Sequence, residues 1–539
     1  MNLAWWLDRS RAERPQHPAL IECDSGLTVG YAELADRADR IAGVLADLGV
    51  GEDDIVVTLM PDDAWHVATF FGVLKVGAVF SGFNRVLAEE KFVADIERMR
   101  ARTIVVSSAF LPTAERLRAA TCLELILVCD EERADGRHNL RPLAEAHRGL
   151  GRVTPRTEDQ LAAINYTGGT SGVSKGVMFT HGTLGLSARL TASYQGMTSG
   201  ERNLSFISLY HSGGIHDAVT WAMLGATNIL TGGWRVDQFV RAVEHYRPTW
   251  MKAWVPTMVR DLFRHPEWEN VDLRGISCSL GGEKVPKEMR EALRARGMRV
   301  TDTYGLTESM PWLVLGAPLV YGDEADIPSG SCGKPQREFC EVVLKDPETG
   351  AVITEPDVPG EVCIRGGVVS PGYYNDPERT AAAFDADGFF HTRDLAYFDA
   401  DGWYYIHGRV DDIINCGGEK VSLVEVENVL KASPLVRDAA CVGVPHERFG
   451  EIPAACVVPA DDLDLDEPAL AERLDAHCIA AFERWKRPRL YVKVDAVPRT
   501  LPKRTKDMAA LRALVAEVSL RDEEGVTSLG KHLARRGRA

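Results

Sequence analysis

Ile55-Val56-Val57-Thr58-Leu59-Met60 is almost wholly apolar, and the stretches on either side of it repeat with a helical period. Upstream, Leu34, Ala38, Ile41, Leu45 and Leu48 share one helix face and Gly49 stops them, which predicts an amphipathic helix over 31–48. Downstream, 64–75 reads as a helix ending near Gly77, and Ala78-Val79-Phe80-Ser81 as a second strand. Ile104-Val105-Val106 and Leu125-Ile126-Leu127-Val128 continue the series. A strand without a polar face needs cover on both sides. Strands alternating with helices therefore predict a parallel sheet with right-handed crossovers and helices on each face.

A second series follows, with strands over 204–209, 228–230, 249–251, 276–280 and 299–303 and a helix over 236–246. From about 330 the texture changes to short alternating strands at 340–344, 360–365, 389–391 and 403–406. Turn signals such as Asp346-Pro347-Glu348-Thr349-Gly350 and Asp399-Ala400-Asp401-Gly402 separate them, which reads as a small antiparallel barrel or sheet. Beyond Gly408-Arg409-Val410-Asp411-Asp412, helices over 422–432 and 468–482 and strands over 439–444 and 454–458 form an α+β unit of about 100 residues, enough to fold alone. The expected architecture is α/β. A large domain of layered α/β sheets and a β-barrel-like subdomain spans 1–410, a small mobile α+β domain spans 411–520, and a basic tail covers 521–539.

The 539 residues suffice for two to four structural units. A formal charge of −16 argues against nucleic acid or an anionic membrane as the main partner. No run approaches the roughly 20 apolar residues that cross a bilayer, so no stable membrane insertion is expected. Eleven scattered cysteines, an odd number with no Cys-x-x-Cys pair, fit reduced thiols. The start of the chain lacks a basic segment followed by a long apolar one, and the cytoplasm is the expected location. Monomer and homodimer both remain open.

The densest chemistry lies in Tyr166-Thr167-Gly168-Gly169-Thr170-Ser171-Gly172-Val173-Ser174-Lys175-Gly176, set between two short strand patterns. Glycines let backbone N–H groups converge, hydroxyls add donors, and the lysine adds a mobile positive charge. Such a loop suits a polyphosphate, although glycine content alone equally describes a surface turn. No Gly-Lys-Ser/Thr closes it before a helix, so it is not a Walker loop.

This run, followed in order by Tyr304-Gly305-Leu306-Thr307-Glu308, Thr392-Arg393-Asp394 and Gly408-Arg409-Val410-Asp411-Asp412, resembles the adenylate-forming superfamily over roughly Leu34 to Leu511. That superfamily holds acyl-CoA synthetases, peptide-synthetase adenylation domains and luciferases. Gly417-Gly418-Glu419-Lys420-Val421-Ser422 is most similar to bacterial fatty-acyl and aryl-CoA ligases. The resemblance implies ATP, Mg2+ and CoA, a small carboxylic acid, and two steps. The carboxylate attacks the α-phosphate to give an acyl-adenylate and pyrophosphate; a thiol then displaces AMP, after the terminal domain has rotated about a hinge at Asp411.

By resemblance, Thr167, Gly168, Gly169, Thr170, Ser171, Gly172 and Lys175 hold the β- and γ-phosphates. Glu308, with Thr170, coordinates magnesium, and Thr307 donates to the α-phosphate. Tyr304 lies against the adenine, with Asp302 and Gly305 around the nucleotide; Gly281, Gly282 and Glu283 stand between the nucleotide and the acyl pocket, which residues around 212–216 and 309–313 also line. Asp394 accepts the ribose hydroxyls, and Arg409 makes a second ribose or phosphate contact or an interdomain salt bridge. His211 is a gate beside the acyl carboxylate or a satisfied core histidine. Gly417 and Gly418 belong to the loop that enters the site for the second step. Met310, Pro311 and Trp312 narrow the acyl pocket, which hints at a modest or aromatic acid.

Two departures stand out. Arg393 replaces the usual glycine, predicting a slightly different turn before Asp394. In Pro498-Arg499-Thr500-Leu501-Pro502-Lys503-Arg504-Thr505-Lys506, Arg504 falls where the superfamily has a catalytic lysine, leaving Lys503, Arg504 and Lys506 as candidates for that role. The altered segment keeps open an acceptor other than CoA: a carrier-protein thiol, an amine, or nitrite in diazotisation of an aryl amine. A nucleotide-binding relative without catalysis is the reading from another class.

Overall fold

The computed structural model describes residues 1–130, 139–167, 174–282, 285–310, 315–316, 327–328, 330–460, 467–500 and 505–516. The apolar strand Ile55–Leu59 is buried along its whole length, within a six-stranded sheet. Its order is Leu125–Val128, Thr103–Val106, Ile55–Leu59, Val79–Gly82, Leu161–Thr167 and Lys175–Thr180. Adjacent strands are parallel except the last pair, which runs antiparallel with Thr167 opposite Lys175. The helix predicted over 31–48 is Tyr31–Asp47, with Leu34, Ala38, Ile41 and Leu45 all buried.

The second series builds a nine-stranded sheet. Arg299–Tyr304, Ser277–Gly281, Trp250–Trp254, Arg202–Ser205, Thr227–Leu230 and Pro18–Glu22 are parallel neighbours in that order. Antiparallel strands close both ends: Leu315–Gly316 and Lys334–Pro335 at one, Thr28–Gly30 at the other. The strand expected over 204–209 stops at Ser205. Past that point the chain must turn beneath helix Ser212–Leu224, and Gly214 comes so close that an added Cβ would lie 2.1 Å from the Ser208 carbonyl oxygen.

The short strands after 330 form a five-stranded sheet in the order Val352–Ile353, Glu341–Lys345, Gly360–Arg365, Phe390–Phe398 and Tyr404–Arg409. The chain divides into two compact units. One comprises Met1–Thr167, Ser174–Thr392 and Ala396–Ile406; the described part of the other comprises Arg393–Leu395 and the residues from His407 onward.

In the second unit, Val436–His446 and Gly450–Pro459 make a long antiparallel hairpin, with Leu490–Lys493 parallel beside the latter. The hairpin Ile413–Cys416 and Glu419–Ser422 joins the same sheet. Helices Leu423–Ala432, Glu467–Ala481 and Met508–Ala516 pack on it around Val426, Leu430, Val442, Cys456 and Leu474. All eleven cysteines are free thiols. Among the described residues no helix is long and apolar enough to cross a membrane.

Candidate active site

Lys175 opens the strand that leaves the glycine-rich loop, and two distant segments meet that strand. One is 370–374: the Met178 N–H donates to the Gly372 carbonyl at 3.1 Å, and the Tyr374 N–H to the Gly176 carbonyl at 2.8 Å. The other is the short turn Thr307–Ser309. Ser370 joins them, its N–H donating to the Glu308 carbonyl at 2.7 Å and its hydroxyl to the Met178 carbonyl at 2.9 Å. Backbone pairing therefore fixes the lysine strand and the carboxylate turn to one strip of chain.

Side chains continue the connection. The Tyr373 hydroxyl donates to Glu308 Oε1 at 2.9 Å, and Lys175 Nζ lies 5.3 Å from the centroid of the Tyr373 ring. Donating to a carboxylate enriches the ring in electrons, which strengthens its attraction for the ammonium. Burial pushes the Tyr373 phenol up from its ordinary pKa, and the negative Glu308 adds to this, so the tyrosine remains a donor at any working pH.

The other predicted residues of this unit stand on that turn or on separate elements. Thr307 is buried with Oγ1 3.5 Å from Ser212 Oγ. His211 is half-buried and caps helix Ser212–Leu224, its Nδ1 accepting from the Gly213 N–H at 3.0 Å. A neutral imidazole there carries its proton on Nε2. Tyr304 and Gly305 are half-buried at the end of strand Arg299–Tyr304. Gly281 abuts that strand so closely that an added Cβ would lie 2.5 Å from the Thr303 carbonyl oxygen, and Gly282 has φ +78°. Asp302 is buried and ion-paired with Arg290. Gly168, Gly169, Thr170, Ser171, Gly172, Glu283, Pro311, Trp312, Lys503 and Arg504 lie outside the described residues.

Ser174, just before Lys175, is held by two partners. Its hydroxyl hydrogen-bonds Asp95 and its carbonyl accepts from Arg98 Nη1 at 2.7 Å. Burial raises the Asp95 carboxyl to about 6 despite that hydroxyl donor.

In the second unit Arg409 Nη1 donates to Asp394 Oδ1 at 2.5 Å. Arg393 takes φ +64°, the left-handed conformation for which glycine is the ordinary residue. A non-glycine residue there is strained by about 1 kcal/mol. Arg393→Gly should raise unfolding stability by up to about that amount, read from chemical denaturation, with the glycine's greater unfolded-state entropy offsetting part of the gain.

Gly417 and Gly418 have φ +66° and +95° and form the two-residue turn of the hairpin that ends at Ser422. Two consecutive positive φ values require glycine-like residues. Lys506 Nζ pairs with buried Glu427 at 2.8 Å and lies 3.6 Å from Asp412. Burial lowers its pKa, but the two carboxylates outweigh that and raise it overall.

Among the described residues one group of three metal-capable side chains converges: Glu361, Cys363 and His391. His391 already presents Nδ1 to Glu361 at 3.0 Å and Nε2 to Asp385 at 3.4 Å, and Lys345 lies 2.5 Å from Asp385. That is an ion network anchoring the strand just before Thr392.

The sequence pattern of AMP-binding enzymes matches residues 7–374, and that of the AMP-binding enzyme C-terminal domain matches 425–503. The chain belongs to the AMP-binding enzyme family. It is 31% identical over 483 residues to 4-coumarate–CoA ligase 2 of Oryza sativa subsp. japonica, covering 86% of this chain and 84% of that one. Indoleacetate–CoA ligase of Aromatoleum aromaticum is 28% identical over 527 residues, covering 97% of this chain and all of the relative (100%). The anthranilate CoA ligase AuaEII in complex with anthranoyl-AMP superposes with a TM-score of 0.83 at 26% identity, covering 96% and 97% of the two chains. Tyr373 and Ser370, which tie Lys175 and Glu308 together, carry no motif in the sequence. The run Gly372-Tyr373-Tyr374 was their one local signal.

Proposed function

We propose that the chain activates a small carboxylic acid with ATP as an acyl-adenylate and then transfers the acyl group to the thiol of CoA. The Lys175–Tyr373–Glu308 assembly carries this reading, because it sets a cation and a carboxylate against one tyrosine on elements held together by backbone hydrogen bonds. In the first step a carboxylate oxygen bonds to the α-phosphorus and the bond to the β-phosphate oxygen breaks, releasing pyrophosphate. Negative charge builds on the leaving group, where Lys175 and the loop donors act on it. In the second step the thiol sulfur attacks the acyl carbon, the acyl–oxygen bond to AMP breaks, and the thiol proton passes to solvent.

Glu308 offers a hard oxygen ligand with one oxygen oriented by Tyr373, a donor that fits magnesium. Bound there, magnesium would neutralise phosphate charge. Thr307, beside Ser212, faces the α-phosphate; Asp394, oriented by Arg409, takes the ribose hydroxyls. The substrate is aromatic or of modest length. Coumarate, indoleacetate and anthranilate, named for the relatives, agree with the bulk of Met310, Pro311 and Trp312. The free cysteines fit work in the reducing cytoplasm.

The pairing of Lys506 with Glu427 and Asp412 gives that lysine a structural task and leaves Lys503 and Arg504 as the first-step cation. An arginine in that role favours, as the second reading, an acceptor other than CoA. A panel of acids, read by pyrophosphate release and by thioester with and without CoA, separates the two. Thioester formation supports the CoA ligase; AMP release without thioester supports the other acceptor. In the same assay Lys503→Ala or Arg504→Ala should lower the first step at unchanged stability, whereas Lys506→Ala should lower stability. Full activity in both of the first two variants would remove this segment from the chemistry.

A further inference from the structure

Behind the Thr307–Ser309 turn lies a chain of buried polar side chains that neither step of the reaction uses. Asp217 and Lys252 are 2% and 1% exposed and stand 2.8 Å apart. His216, Ser187 and Thr220 are fully buried around them. Lys252 Nζ lies 2.9 Å from His216 Nδ1, Ser187 Oγ lies 3.2 Å from His216 Nε2, and Ser187 Oγ donates to the Met310 carbonyl at 2.9 Å. Asn203 Nδ2 approaches the other Asp217 oxygen at 3.4 Å, and the ammonium stands 5.7 Å from the Trp221 ring centroid.

Donor and acceptor chemistry gives this chain one direction. An ammonium only donates, so Nδ1 of His216 accepts. Thr220 spends its proton on the His216 carbonyl at 2.7 Å and does not compete for that nitrogen. The ring proton therefore sits on Nε2 and points to Ser187 Oγ, whose own proton is thereby committed to the Met310 carbonyl. Burial, followed by the Lys252 charge, lowers the His216 pKa well below its ordinary value, which keeps the ring neutral as this direction requires.

The end point is specific. Met310 follows the Thr307–Ser309 turn directly, is fully buried, and has φ +63°. A bulky residue in the left-handed region needs its surroundings to hold it there. We infer that Asp217, Lys252, His216 and Ser187 form a positioning chain that fixes Met310 and so sets Thr307 and Glu308 for the nucleotide and its metal; this rests on the roles proposed above for those two residues.

Ser187→Ala removes only the last link and keeps the Lys252–Asp217 pair intact. It should lower kcat of ATP–pyrophosphate exchange about tenfold and raise the magnesium concentration for half-maximal exchange several-fold, as loss of an outer-shell partner does. KM for the acid and the thermal midpoint should stay near wild type. His216→Gln places an amide N–H where Nε2 stood and should recover most of the activity, whereas His216→Asn is a methylene too short to reach Ser187 and should not.

Wild-type kcat and magnesium dependence in folded Ser187→Ala and His216→Asn would overturn the inference, as would equal loss in His216→Gln and His216→Asn. Glu308→Gln in the same assay keeps the two levels apart. Full exchange in that variant would overturn the metal-binding role given to Glu308 and the chain's role together, while leaving adenylation itself standing; no exchange in the wild-type protein with any acid would overturn the functional reading. Its loss beside an unaffected Ser187→Ala would overturn the positioning role alone.

Discussion

ATP–pyrophosphate exchange in the Glu308→Gln variant is expected to fall by about two to three orders of magnitude at saturating magnesium, the usual scale for removing one group that acts on developing charge. The substitution keeps the shape of the side chain. Its amide oxygen can still accept the Tyr373 hydroxyl that reaches Glu308 Oε1 at 2.9 Å, and the Ser370 N–H bond goes to the backbone carbonyl, which is unchanged. Stability should therefore stay within about 0.5 kcal/mol of wild type. What disappears is the negative charge that balances a divalent cation. Tyr373→Phe should have a smaller effect, about tenfold, because the carboxylate loses one orienting donor but keeps its charge. Exchange in Glu308→Gln above about a tenth of wild type would remove this carboxylate from the chemistry.

The features legible in the sequence were those encoded locally. Helix Tyr31–Asp47 and strand Ile55–Leu59 announce themselves through period and composition within one window, and Gly417-Gly418 through a turn that needs two positive φ values. The motif order likewise put Lys175, Glu308 and Asp394 forward as candidate site residues. Pairings between distant parts of the chain left no such mark. Pro18–Glu22 joins the second sheet beside Thr227–Leu230, across some two hundred residues, and nothing in either strand names the other.

Tyr373 is invisible for the same reason, since its meaning comes from Glu308 and Lys175, which reach it from two other segments. Arg393 shows the converse. Its identity departs from the expected glycine, yet the backbone keeps a left-handed turn, so the fold sets the conformation against the residue's preference. His216 and Lys252 lie in sequence within a largely apolar helix and strand, with no local mark of their pairing. Only packing reveals that each satisfies the other.

Arg290 and Asp302 yield the largest expected stability effect. Their side chains are 5% and 6% exposed, on helix Lys287–Ala295 and strand Arg299–Tyr304, and Asp302 stands opposite Leu280 in the strand that ends at Gly281. Burial raises the Asp302 carboxyl to about 6, outweighing the attraction of Arg290 and Arg294. A raised acid pKa means that the folded state holds the proton more tightly than the unfolded chain, whose carboxyl titrates near 4. The stabilisation contributed by this proton is therefore greatest below about pH 4 and is lost as pH rises through 6.

Arg290→Met removes an attractive charge, pushes that pKa higher still and leaves a buried carboxylate without its partner. Unfolding in urea should show a loss of about 3–5 kcal/mol at pH 8 and a distinctly smaller one at pH 5, where the carboxyl takes up a proton. Adding Asp302→Leu should restore most of the loss at pH 8, because the unpaired charge goes with it. An equal loss at both pH values would mean that the arginine acts through packing alone. A rise in KM for ATP with unchanged stability would instead return Asp302 to the nucleotide, the role its position in the sequence first suggested.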